Sequence, residues 1–89
     1  NEDGEKNSVL ALMVSQQGDL WLSTIYQGLF TVDLKTLTVE KQFEHQINWL
    51  VTLTYAIRED DEGRIWFATT HGLGLFEKSN QEIFFYRYL

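Results

Sequence analysis

The feature that most constrains this chain is an internal repeat. Gly18-Asp19-Leu20-Trp21-Leu22-Ser23-Thr24 recurs as Gly63-Arg64-Ile65-Trp66-Phe67-Ala68-Thr69, 45 positions on. Gly, Trp and Thr coincide, and an aliphatic residue precedes each Trp. Gly28-Leu29-Phe30 matches Gly74-Leu75-Phe76 at a spacing of 46, which places one inserted residue in the second copy's intervening loop. Further matches are Ala11-Leu12 with Ala56-Ile57 and Leu37-Thr38-Val39 with Ile83-Phe84-Phe85. A period of this length is the mark of stacked structural units, each too small to bury its own apolar surface.

Each unit reads as four short strands. The first has strands at about 8–14, 19–25, 28–33 and 37–43, and the second at about 49–57, 64–70, 73–78 and 82–88. Turn residues separate them: Gln16-Gln17-Gly18, Tyr26-Gln27, Asp33-Leu34-Lys35-Thr36, Asp61-Glu62-Gly63, His71-Gly72 and Ser79-Asn80-Gln81. Connections this short join antiparallel neighbours, so each unit is a meander. Aromatics at 15% of the chain, abundant Thr, Val, Ile and Leu, and the absence of Pro all suit pleated, packed strands.

Several strands are apolar on both faces. Leu20 and Leu22 alternate with Trp21, and Ile65 and Phe67 with Trp66. A sheet with one wet face would alternate apolar and polar. The expected fold is therefore all-β: two four-stranded antiparallel meanders stacked face to face as β-propeller blades. One sandwich or barrel of eight strands is the rival. The expected organisation is a disordered polar segment at 1–7, an atypical blade at 8–43 and a typical blade at 49–89.

The string Asp60-Asp61-Glu62-Gly63-Arg64-Ile65-Trp66-Phe67-Ala68-Thr69, followed by Gly72-Leu73-Gly74-Leu75-Phe76, resembles the two-component regulator propeller repeat. That repeat sets an Asp three residues before a Gly, then an aliphatic-Trp-aliphatic-small-Thr strand and a Gly-rich turn. The first copy departs from it: Ser15 stands where Asp60 stands, and Tyr26-Gln27 replaces a turn Gly. The resemblance implies the periplasmic sensor region of a membrane-anchored hybrid histidine kinase, as in gut Bacteroidetes, responding to an oligosaccharide or another small ligand. Phosphotransfer chemistry would then lie outside this chain. Asp61-x-Gly63-x-x-Trp66 also resembles the Asp-box turn of sialidase-type propellers.

Composition narrows the partners. The chain carries 13 acidic and 7 basic residues, a net charge of −6. Such a chain gains nothing from counterion release on DNA or RNA, and anionic membranes repel it. There is no Cys, hence no thiolate metal site. No motif for catalysis, cofactor or metal is present, so this segment is expected not to be an enzyme. The acidic turn 59–62 could be a weak cation site, but a turn stabilised by its own Asp and Gly is the stronger reading.

In an up-and-down meander, the second-to-third turns and the link between units lie on one rim. Tyr26, Gln27 and His71 occupy such turns, and His45 and Trp49 occupy the link. These five are the candidate ligand residues. Two units also leave two apolar faces uncovered. Partners are therefore expected there, either further blades of a longer chain or other copies building a ring.

Overall fold

The computed structural model describes residues 8–49 and 51–88. The segment 1–7 expected to be disordered lies outside them, as do Leu50 and Leu89. Eight strands run in chain order: β1 Val9–Val14, β2 Asp19–Thr24, β3 Gly28–Asp33, β4 Thr38–Gln42, β5 Thr54–Glu59, β6 Ile65–Thr69, β7 Gly72–Glu77 and β8 Glu82–Arg87. They form two sheets, β1-β2-β3-β4 and β5-β6-β7-β8, every neighbouring pair antiparallel. We call these sheets blade 1 and blade 2.

The repeat is structural down to its irregularities. The register shifts between Val9 and Ala11 in β1, and between Thr54 and Ala56 in β5, a bulge at the same place in each blade. The first turn is built alike in both. Ser15 N donates to Asp19 O at 2.8 Å and Gly18 N to Ser15 O at 3.0 Å; Asp60 N donates to Arg64 O at 2.9 Å and Gly63 N to Asp60 O at 3.0 Å. Gly18 and Gly63 take φ of +90° and +80°, which only Gly adopts without strain. The repeated Thr closes the second turn: Thr24 Oγ1 donates to Gly28 O at 3.2 Å, and Thr69 Oγ1 to Gly72 O at 2.7 Å.

Those Thr bonds correct the alignment. The structural counterpart of Gly28 is Gly72, not Gly74, so the second turn is one residue shorter than the first rather than one longer. Downstream, Val39 pairs with Val32 as Ile83 pairs with Phe76, so Val39 corresponds to Ile83. Two strand boundaries also move. Phe43 leaves β4 at φ +56° and turns into the core. Trp49, Val51, Thr52 and Leu53, expected to open the fifth strand, lie outside it, and Asn48 O accepts from Thr52 N at 3.1 Å.

The blades meet through unlike faces. Blade 1 contributes Trp21, Leu29 and Ala11; blade 2 contributes Ile57, Ile65, Phe67 and Phe76. Leu29 and Ile65 are fully buried, and Trp21 and Phe67 nearly so. Trp21 packs 5.7 Å from both Phe67 and Phe76, and Phe43 caps the cluster at 5.2 Å from Phe76. Each such side chain removed from water contributes about 1.5–3 kcal/mol. Polar ties cross the same seam. Ser23 Oγ donates to Thr54 O at 2.8 Å and Gln16 N to Glu59 Oε1 at 2.7 Å; within blade 2, Glu59 Oε2 also accepts from Lys78 Nζ at 3.0 Å. The opposite faces of both blades are incompletely covered, with Leu12, Val14 and Val39 exposed on blade 1 and Phe84 and Tyr86 on blade 2.

Candidate functional site

The rim that holds the β2–β3 turn, the link and the β6–β7 turn carries two adjoining clefts. The first, of about 740 Å³, is lined by Tyr26, Lys41, Glu44, His45, Trp49 and Arg87 together with Gln46, Ile47 and Asn48 of the link. The second, of about 360 Å³, shares Gln46, Ile47, Asn48 and Arg87 with it and adds Val51, Thr52, His71 and Phe85. Both volumes suit a small organic ligand. The structure brings Tyr26, His45 and Trp49 to one cleft and His71 to its neighbour, while Gln27 lines neither.

Each residue reaches the rim for a local reason. Tyr26 sits in the β2–β3 turn with φ +68°, a left-handed conformation that is costly for a bulky side chain, and its ring is exposed. Strained residues of this kind cluster at ligand sites. His71 occupies the shorter β6–β7 turn. Its Nδ1 lies 3.0 Å from Thr70 Oγ1 and 3.4 Å from Thr52 Oγ1, which orients the ring. Arg87 ends β8 opposite Gly72 and sets a guanidinium between the clefts.

Trp49, a candidate ligand residue by its place in the link, also has a packing role. It is buried, its Nε1 donates to Phe43 O at 3.2 Å, and its ring lies over Gly28, where a Cβ would come within 2.6 Å of Cγ. Trp49 is thus a structural wall of the first cleft. Lys41 and Arg87 were not singled out from sequence. Their signal was weak, since a single basic residue on an outer strand is ordinary for a solvated edge.

The acidic turn resolves into a clamp. Asp60, not Asp61, is the acceptor: Oδ1 takes Glu62 N and Arg64 N at 2.9 Å each, and Oδ2 takes Arg64 Nε at 2.7 Å and Trp66 Nε1 at 2.9 Å. The Trp66 N–H foremost, then the Arg64 and Glu62 donors, hold this carboxyl well below the usual carboxylate range, against a partial desolvation that raises it. With its oxygens taken by four N–H groups, Asp60 is a turn lock rather than a cation ligand. No group of three or more His, Asp or Glu suited to a metal occurs among the described residues.

This clamp and the strand it anchors are the core of a recognisable repeat. Residues 49–71 match the family model of the two component regulator propeller. No curated protein matches the chain. The propeller match runs from Trp49 through the Asp60 turn and β6 to His71, so it takes in the end of the link, the clamp and one wall of the second cleft. Two all-β, four-stranded antiparallel blades without a helix among the described residues are the architecture such a repeat builds.

In blade 1 the clamp is broken. Ser15 repeats the backbone bonds of Asp60, and its Oγ accepts from Asp19 N at 3.2 Å. It offers nothing to Trp21, whose buried Nε1 has no hydrogen-bond partner. The atypical first copy is therefore atypical in energy as well as in sequence.

Proposed function

We propose that this chain is a ligand-sensing propeller segment of a two-component regulator, placed outside the cytoplasm and without catalytic chemistry of its own. The observation that carries the reading is the pair of joined rim clefts. They gather Tyr26, His45, His71 and Arg87, from four separate turns and strands, around the link. Amide, imidazole, phenol and guanidinium groups beside an apolar floor of Ile47 and Phe85 suit a hydroxyl-rich molecule such as an oligosaccharide, which needs donors and acceptors together with contact for its C–H faces. Signal transfer follows if ligand favours one arrangement of the link that joins the blades.

The test is titration calorimetry of the chain against a panel of neutral and acidic oligosaccharides. Binding should weaken about tenfold or more in Tyr26→Ala and in His71→Ala, the loss expected for one hydrogen bond to a ligand. An oligosaccharide bound equally well by both variants would remove the rim from consideration.

A further inference from the structure

The seam between the blades is a template for what their outer faces accept. Blade 2 covers Trp21 with Ile57, Ile65, Phe67, Phe76 and Ile83. Through the strand registers these positions correspond to Leu12, Leu20, Leu22, Val32 and Val39 of blade 1. All five are aliphatic, although all lie on the outer face, where Leu12 is 64% exposed and Val39 61%. The covered side repeats as well. Ala11, Trp21 and Leu29 correspond to Ala56, Trp66 and Leu73, on the outer face of blade 2. Blade 1 thus exposes a covering face, and blade 2 exposes a face of the kind that is covered.

We infer that a second copy of this chain docks its Leu12 face onto the Trp66 face of the first, head to tail, repeating the seam already present inside the chain. Trp66 is prepared for this. Asp60 holds its indole N–H, and the Arg64 guanidinium lies 5.9 Å from the ring. The outer strand agrees: exposed Glu40 and half-buried Gln42 of blade 1, beside the seam, are replaced in blade 2 by Phe84 and Tyr86, respectively 41% and 55% exposed. Because the two faces differ, the contact is heterologous. The rotation that relates blade 1 to blade 2 carries into the next copy, so successive additions curve toward a closed ring.

Sedimentation velocity of the 89-residue chain across micromolar concentrations tests this. The wild type should associate. Leu12→Glu spoils the covering face and Ala68→Glu the Trp66 face. An unpaired charge at such a seam should weaken association about a hundredfold or more, leaving each variant monomeric alone. An equimolar mixture of the two should form a heterodimer and nothing larger, since one compatible pair of faces remains. A wild type that stays monomeric at high concentration overturns the proposal. So does Leu12→Glu dimerising alone, which would mean that Trp66 faces pair with each other. If circular dichroism shows Ala68→Glu unfolded, Tyr86→Glu on the same face replaces it.

Discussion

Ser15 and Asp60 show how one side chain changes the energy of a conserved turn geometry without changing its path. Both residues close the turn, but Asp60 also reaches the indole of its Trp, whereas Ser15 leaves Trp21 Nε1 buried and unpaired. An unsatisfied buried donor costs on the order of 1–3 kcal/mol. Ser15→Asn supplies a longer neutral acceptor and should stabilise the protein by ~1 kcal/mol, raising the melting temperature by roughly 4–8 °C. Asn is preferred to Asp because Asp19 stands where Arg64 balances the charge in blade 2. An unchanged melting temperature would show that the orphaned N–H is not costly here. Asp60 predicts a pH dependence. Its folded pKa lies below the unfolded value of about 4. Its contribution is therefore complete at neutral pH and is lost as pH falls below about 4 toward the folded value. Asp60→Asn should lack this part of the acid limb in a pH series of denaturant midpoints; parallel curves for the two proteins would refute the assignment.

At the scale of the element, the link between the blades is the segment least like its neighbours. Phe43 and Trp49 both leave the strands expected for them, because burying two large aromatic rings outweighs a few ladder hydrogen bonds. Gly28 makes room for Trp49 and has φ +90°. Gly28→Ala meets both obstacles, since the left-handed backbone costs an L residue about 1–2 kcal/mol and the methyl would overlap the indole. It should destabilise by at least ~2 kcal/mol. Displacing Trp49 should also expose its ring, seen as quenching by acrylamide. A variant with wild-type stability and quenching would show that the Trp49–Gly28 packing is dispensable.

For the whole molecule, one aromatic cluster of Trp21, Phe43, Phe67 and Phe76 joins both sheets. Among the described residues neither blade has a second core of its own, so the two should unfold together. Phe67→Ala should cost about 3–5 kcal/mol, a large share of the ~5–15 kcal/mol typical of a domain. Tryptophan fluorescence and far-ultraviolet circular dichroism should then report the same denaturant midpoint in the wild type and the same shift in the variant. Two separated transitions would show that the blades are independently stable.

Much of this protein was legible from residues alone. The internal repeat, the β-prone residues and the turn residues located eight strands to within a few positions, and the Gly, Trp and Thr repeat marked the sites that build each turn. Strand topology then put Tyr26, His45 and His71 on one rim, because short connections leave no other course. The sequence could not say which Trp lies inside the seam. Trp21 and Trp66 occupy equivalent places in equivalent strands, yet one is enclosed by blade 2 and the other faces outward. Nor could it tell that Trp49 is a wall, that Asp60 rather than Asp61 is the lock, or that the second turn is the shorter. Local propensity and spacing act within a strand or a turn and are written in neighbouring residues. Burial across a seam depends on what packs opposite, and only the assembled blades decide that.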